Sequence, residues 1–185
     1  MKELRESDRQ ALVKLLADED PRVRELVQEQ MVEWGPDGVA FLQGIVDHAP
    51  NPLAARGASQ MLHAIHERDA VTTFAQFCTT CGDHFDLEAG CWLLAKTRYP
   101  DLPVPAYAAR LDQLARELRE RLTGRETPLG TVEVCHHHLF QTLGFRGNHE
   151  DYHDPDNSYL NRVLDRRLGI PISLSALYQI GRAHV

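Results

Sequence analysis

Apolar residues recur at intervals of three and four along most of this chain, a spacing that predicts amphipathic helices. In the first 70 residues these stripes are short, and proline pairs separate them. An Asx residue before proline favours a helix start, since the Asx side chain caps free N–H groups and proline fits the first helical position. The pair Asp20-Pro21 recurs 31 residues later as Asn51-Pro52. That period fits a HEAT-like helical solenoid and an ordinary helical bundle about equally well. The predicted stripes are Leu12, Leu15 and Leu16; Val23, Leu26, Val27 and Met31; and Val39, Leu42, Ile45 and Val46.

A second helical block follows. Asp86 is a candidate cap for a helix that runs to about Arg98. Pro105 begins a further helix, whose other face is rich in arginine and glutamate, as expected for a solvated surface. The polar stretch Thr123–Leu129 predicts a domain boundary. The buried faces are predicted from Leu87, Cys91 and Leu94, and from Leu111, Leu114, Leu118 and Leu122.

The last block predicts three more helices. The first ends at Gly144, a suitable C-terminal cap. A loop over residues 145–156 then leads to Asn157 as the N-cap of a helix that ends at Gly169. Ile170 must be extended because it precedes proline, and the last helix begins near Ser173. No strand signal is visible, so the fold class is mainly α. The core positions are Val132, Cys135, Leu139 and Leu143, and Leu160, Val163 and Leu164.

Composition and charge narrow the functional classes. Hydrophobic residues make up 43% of the 185 residues, which is enough for a core, and the net charge is −7. An acidic chain lacks the basic face that nucleic acids and anionic membranes require, so neither is expected as a partner. No signal peptide is visible in the charged start, and no run of about 18 apolar residues could span a bilayer. Four cysteines do not resemble a disulfide framework, so we expect a cytoplasmic protein.

Three motifs resemble metal or redox sites, but for each we favour an interpretation without a metal or redox role. His149 to His153 matches HExxH, which binds zinc only on a helix, but glycine, asparagine and proline around it predict a polar loop. The run from Cys135 to His138 cannot converge on one ion, because successive helical residues point about 100° apart. Its histidines are predicted to be partly exposed. Cys78 and Cys81, with His84 and Cys91 downstream, lack the βαβ setting of a redox pair. We therefore predict no metal and no cofactor.

The stretch from Asp151 to Tyr178 resembles the SirB-type transglutaminase-like proteins, a bacterial group related to a segment of some animal F-box proteins. The likeness covers residues 85–179 well and the start of the chain loosely. It is carried by Leu139-Phe140, Gly144-Phe145-Arg146-Gly147-Asn148, Asp151-Tyr152, Asp154-Pro155, Asn157-Ser158-Tyr159-Leu160-Asn161, Val163-Leu164, Arg166-Arg167, Gly169-Ile170-Pro171-Ile172-Ser173-Leu174, and upstream by Leu87-Glu88-Ala89-Gly90, Leu93-Leu94-Ala95 and Tyr99-Pro100-Asp101-Leu102.

The resemblance implies the helical first part of a papain-like α+β domain whose strands follow later. In catalytic transglutaminases a cysteine occupies the start of a helix, and a histidine and an aspartate on later strands complete the triad. Here Ser173 stands at the nucleophile position, with Ser175 next if the register slips. A serine hydroxyl needs an adjacent general base, so the alternative role of Ser173 is that of a helix N-cap.

The resemblance also sets the expected domains. We predict a HEAT-like helical segment over 1–84, a helical part of the family's N-terminal domain over 85–128 and the start of the transglutaminase-like domain over 129–179. Residues 180–185 read like the translation of a sequencing adapter, and we expect them to be a non-native tail of a truncated chain. His184 in this tail is not expected to be the triad histidine.

Two functions remain open besides a zinc metalloenzyme that would use the HExxH match from His149 to His153. The first is a non-catalytic or regulatory protein whose N-terminal helices bind a protein partner. The second is an acyl-transfer or amide-hydrolysing enzyme that uses Ser173 with histidine and aspartate partners lost by truncation. As written, the chain is expected to be inactive.

Overall fold

The chain is mainly helical, as the apolar spacing predicts. The structure, a computed structural model, describes residues 6–18, 20–49, 51–82, 85–123 and 127–183. It divides into two compact units, Met1–Asp69 and Ala70–Val185. Within the described ranges, no helix is both long and apolar enough to cross a membrane. The helices are α1 (Glu6–Leu16), α2 (Pro21–Trp34), α3 (Pro36–His48), α4 (Pro52–Thr80), α5 (Leu87–Lys96), α6 (Val104–Leu122), α7 (Pro128–His136), α8 (Leu160–Arg166) and α9 (Pro171–Ala183).

Both Asx-Pro pairs begin a helix, as predicted. Asp20 accepts a hydrogen bond from the N–H of Arg22 at 2.9 Å, and Asn51 accepts one from the N–H of Leu53 at 3.0 Å. The two caps therefore have the same geometry and each satisfies a free N–H group of the first turn.

Each of the three predicted stripes contributes some of its residues to the hydrophobic core of the first unit. Leu16, Val27, Met31 and Leu42 are buried there. Leu26 was predicted to be buried, but it is 67% exposed, because the buried face of α2 is narrower than the stripe. The prediction of only short helices is also wrong at α4, which runs for 29 residues.

Two glycines allow close backbone contact within this unit. A Cβ added to Gly38 would lie 2.2 Å from the carbonyl oxygen of Met31, and one added to Gly57 would lie 1.9 Å from that of Leu16. The missing side chains therefore let these backbones approach to a distance that no other residue permits.

The second unit contains the predicted α5 and α6. Asp86 caps α5 by accepting a hydrogen bond from the N–H of Ala89 at 3.0 Å. On α6, Leu111, Leu118 and Leu122 are buried, as the leucine spacing predicts. Residues 124–126 of the predicted boundary loop lie outside the described residues. The largest buried cluster of the unit comprises Trp92, Leu111, Leu139, Phe145, Leu160, Val163, Leu164, Leu177 and Ile180.

The chain after α7 departs from a simple helical succession. A π-helical turn (His137–Thr142) continues directly from α7. Two short strands then pair in parallel: β1 (Arg146–Gly147) lies beside β2 (Leu168–Gly169), with Gly147 opposite Gly169. Strands of two residues carry too little alternation to be detected in a sequence.

Two local predictions in this region are wrong. Asn157 does not cap α8; it lies fully buried in a short 3-10 turn (Pro155–Asn157), and Tyr159 precedes the helix. Helix α8 ends not at Gly169 but at Arg166, and the next residue, Arg167, adopts the left-handed conformation with φ 57°. The Arg167 guanidinium donates to the carbonyl oxygen of Leu143 at 2.7 Å, and this tertiary contact holds a conformation that usually favours glycine.

Candidate functional site

The start of α9 carries the predicted nucleophile position. Ile170 is extended, as its place before proline requires, and the helix begins at Pro171. Ser173 is the third helical residue and is buried, with 6% of its surface exposed. It therefore does not occupy the N-cap position that was one of its two predicted roles.

The Ser173 hydroxyl is fully engaged. It donates a hydrogen bond to the carbonyl oxygen of Asn157 at 2.6 Å and accepts one from the N–H of Ile170 at 3.1 Å. A side chain at the third helical position that accepts from the residue before the helix forms half of a capping box. Ser173 thus caps α9 from inside the first turn and joins it to the 3-10 turn.

A buried amide pair continues from this contact. The Asn148 side chain donates to the side-chain oxygen of Asn157 at 3.0 Å, and both residues are buried. Asn157 also donates to the carbonyl oxygens of Asp151 and Tyr152, at 2.8 and 3.2 Å. The network fixes the loop after β1 against the start of α9, and each buried polar group that it includes has a partner.

Gly169 allows this packing. A Cβ on Gly169 would lie 2.7 Å from Ser173 Oγ. Real Cβ atoms do not approach an oxygen so closely, so a larger residue at 169 would force the Ser173 hydroxyl to move.

A cavity of about 570 Å³ opens beside this network. Residues of α9 form one wall, the π-helical turn contributes Phe140, the two strands contribute one glycine each, and the loop after β1 contributes the remainder. Ser175 is exposed and lines the cavity, whereas Ser173 does not line it. The lining residues are Phe140, Gly147, Asn148, His149, Tyr152, Gly169, Pro171, Leu174, Ser175, Tyr178 and Gln179.

The cavity lies where the elements that follow two parallel strands meet. His149 lies two residues beyond β1 and Pro171 two residues beyond β2. Carboxyl ends of parallel strands are a common location of ligand sites in α/β proteins. Ser175 and His149 share this cavity, so a hydroxyl and an imidazole line the same space.

The HExxH match lies in bends and turns, not on a helix, as its neighbours predict. His149 packs near Gly147 and lines the cavity, while the His153 ring contacts the Tyr152 ring edge-on at 5.5 Å between centroids. Within the described residues, no three His, Cys, Asp or Glu side chains are grouped so as to hold a metal ion.

The three adjacent histidines point in different directions. His136 and His137 are exposed, but His138 is 1% exposed, so the prediction of partly exposed rings is wrong for it. Its Nε2 lies 3.2 Å from a carboxylate oxygen of Glu117, a charge contact without the alignment of a good hydrogen bond. Burial lowers the pKa of His138 below its ordinary 6.5, Arg121 lowers it further, and Glu117 opposes both.

The cysteines lie in different environments and differ in exposure. Cys78 is exposed, Cys81 is half-buried and both lie near the end of α4; His84 is outside the described residues. Burial and the neighbouring Glu88 raise the pKa of the Cys91 thiol to about 11. A thiol with a raised pKa is a poor nucleophile, and half-buried Cys91 packs against the core of the second unit.

Sequence reasoning missed the residues that shape the site. Asn148 and Asn157 were assigned to a loop and a cap, and Phe140 and Tyr178 were not recognised as a ring pair, although they stack with nearly parallel planes and centroids 6.4 Å apart. Two asparagines nine residues apart in a polar loop were the available signal, but the pairing depends on the tertiary fold.

Comparison with known proteins agrees with the resemblance at the level of the superfamily. Residues 105–182 match the sequence model of the transglutaminase-like superfamily. A UPF0162 protein of Xylella fastidiosa is 41% identical over 87 residues, which cover 46% of this chain and 30% of the relative. A UPF0162 protein of Vibrio cholerae is 31% identical over 100 residues, covering 52% and 37%.

A mammalian relative matches a shorter stretch. The mouse F-box only protein 21 is 45% identical over 47 residues, which cover 25% of this chain and 8% of that protein. The matched stretches thus span about a third of the bacterial relatives and much less of the mouse protein. No solved structure matches the chain significantly.

Proposed function

We propose, from the match of residues 105–182 to the transglutaminase-like superfamily, that this chain is a SirB-type member with a regulatory, non-catalytic role. One observation carries the proposal. The hydroxyl at the family's nucleophile position is buried and donates to the Asn157 carbonyl oxygen at 2.6 Å. A nucleophilic serine instead needs its proton directed to a general base and its oxygen open to the substrate.

The test is reaction with a fluorophosphonate, which labels activated serines. The protein expressed from its complete native gene, which the alternative function requires, is incubated with the probe beside a serine protease as positive control. Labelled peptides are then identified by mass spectrometry. We expect no adduct on Ser173 or Ser175. Stoichiometric labelling of Ser173 that disappears in Ser173→Ala would overturn the non-catalytic role.

The N-terminal helices are the proposed protein-binding part. Leu26 on α2 and Leu53 on α4 are 67% and 59% exposed, and a partner that covers them removes apolar area from water. Crosslinking in cells with the wild type and with Leu26→Lys/Leu53→Lys identifies proteins that depend on these side chains. Gln60→Lys, at an exposed position on α4, is the matched control. A partner that the double variant and the control retain equally would contradict this surface.

The alternative is an acyl-transfer or amide-hydrolysing enzyme. It is favoured by the position of Ser173 in the first turn of α9, where helix N–H groups can stabilise an oxyanion. It also requires a histidine and an aspartate, which the resemblance assigns to later strands. The fluorophosphonate experiment separates the two functions, because only the alternative predicts a covalent adduct.

A further inference from the structure

We propose that the cavity beside α9 binds an extended, uncharged polypeptide segment by taking up one bulky apolar side chain. This inference goes beyond the proposed function, because it needs neither a nucleophile nor the N-terminal helices. It rests on the shape of the cavity wall, on the side chains that line it and on the main-chain atoms that the two strands add to it.

One continuous stripe of α9 forms the main wall. Its cavity-lining residues lie at positions i, i+3, i+4, i+7 and i+8, which share one helix face. Leu174 and Tyr178 supply its apolar surface, and the Tyr178 ring stacks on Phe140 at an interplanar angle of 2°. Across from them, Tyr152 is 53% exposed. Aromatic walls of this kind hold flat or branched apolar groups, which gain most from removal from water. The stripe consists of Pro171, Leu174, Ser175, Tyr178 and Gln179.

The polar groups of the wall are hydroxyls, amides and one imidazole. Although the chain carries a net charge of −7, its cavity lining contains no Asp, Glu, Lys or Arg. A charged occupant would lose water without gaining an opposite charge, and that loss is costly. Ser175 and Gln179, one helical turn apart, can instead exchange hydrogen bonds with uncharged peptide groups.

The strands add main chain to the wall. Gly147 and Gly169 are register partners in β1 and β2, and both line the cavity. Because glycine has no side chain, these two residues present main-chain atoms to the cavity. Extended peptides are commonly recognised by strand main chain combined with pockets for their side chains. The volume of about 570 Å³ lies within the usual range of ligand pockets, roughly 300–1,000 Å³. An extended peptide therefore fits the wall better than a small aromatic compound alone.

Amide chemical shifts of the isotope-labelled chain test the inference. The probes are acetyl-Gly-Phe-Gly-amide, the charged acetyl-Gly-Asp-Gly-amide and phenylacetamide, each titrated to about 10 mM, which detects dissociation constants near 1 mM. We expect saturable shifts of Gly147, Gly169 and Ser175 with the phenylalanine peptide, and none with the aspartate peptide. Phenylacetamide should bind several-fold more weakly. Equal binding of phenylacetamide and the peptide, or no saturable shift with the peptide, would overturn the proposal.

A matched pair of variants locates the binding. Ser175→Trp fills the cavity from an exposed helical position, and Ser59→Trp makes the same change at an exposed position on α4. We expect Ser175→Trp to weaken peptide binding at least about tenfold, equivalent to 1.4 kcal/mol, and Ser59→Trp to leave it unchanged. Gln179→Arg, which adds a charge to the wall, provides a second test if Ser175→Trp unfolds the chain. Binding that both cavity variants retain would contradict the assignment.

Discussion

The Ser173 hydroxyl donates its proton to the carbonyl oxygen of Asn157 at 2.6 Å. This bond joins the first turn of α9 to the 3-10 turn before α8, across 16 residues of sequence. The Ser173 hydroxyl oxygen also accepts a hydrogen bond from the N–H of Ile170. A hydroxyl used in this way acts as a structural bridge, which accounts for a serine at a position where the resemblance implies a nucleophile.

Removing this bridge should destabilise the second unit. Ser173→Ala removes the hydroxyl's bond to the Asn157 carbonyl oxygen and leaves the Ile170 N–H with only its longer bond to that carbonyl oxygen, at 3.4 Å. We therefore expect a loss of about 1–2 kcal/mol in the free energy of unfolding. Ser175→Ala, two residues along the same helix but exposed, should change it by less than about 0.5 kcal/mol. Urea unfolding followed by circular dichroism compares the two. Equal effects would show that the bridge contributes nothing.

The buried amide pair should be energetically coupled. Asn148 and Asn157 bond directly at 3.0 Å, and each also bonds main chain of the loop between them. In a double-mutant cycle with alanine at both positions, we expect a coupling energy of about 0.5–3 kcal/mol. The free energies of unfolding of the four proteins give this value directly. Simple additivity of the two single changes would argue against a cooperative network.

Two glycines of α3 should respond oppositely to the same substitution. A Cβ at Gly38 meets the Met31 carbonyl oxygen at 2.2 Å, but one at Gly44 meets nothing within 4 Å. Gly38→Ala should therefore lower the stability of the first unit by about 1–3 kcal/mol or more. Gly44→Ala should raise it by about 0.5–1 kcal/mol, since alanine favours helix. Thermal unfolding measures both, and a stabilising Gly38→Ala would disprove the close backbone contact.

His138 should make stability depend on pH. Because burial lowers its pKa below 6.5 in the folded chain, the unfolded chain binds more protons as the pH falls through that value. The stabilising contribution is complete above pH 6.5 and is lost progressively below it. Replacing His138 by Gln should flatten the fall in unfolding free energy between about pH 7 and 5. The same change at the exposed His136 is the control; if both variants keep the wild-type slope, His138 is not its source.

Sequence patterns predicted the elements that local chemistry determines. The caps at Asp20, Asn51 and Asp86 depend on residues within one turn, and all three are present. The leucine spacing of α6 likewise predicts its buried face. The extended Ile170 follows from its proline neighbour alone.

The features that the sequence did not predict depend on distant contacts. Arg167 adopts a left-handed conformation because its side chain reaches Leu143, 24 residues away. Asn157 lies in the interior and not at the predicted cap position, because its side-chain oxygen accepts from Asn148 and its carbonyl oxygen accepts from Ser173. The cavity was also missed, since its wall combines a π-helical turn, a loop and α9.

A thiol at position 173, where the resemblance implies a nucleophile, gives the most direct test of the structural role of Ser173. Ser173→Cys and Ser175→Cys are treated with iodoacetamide under native conditions, and labelling of each site is followed by peptide mass spectrometry, with exposed Cys78 as internal reference. We expect the thiol of Ser175→Cys to react about as fast as Cys78, and the thiol of Ser173→Cys to react only after unfolding. Native alkylation of Ser173→Cys that is faster than that of Cys78 would show an activated and accessible side chain and contradict the structural role of Ser173.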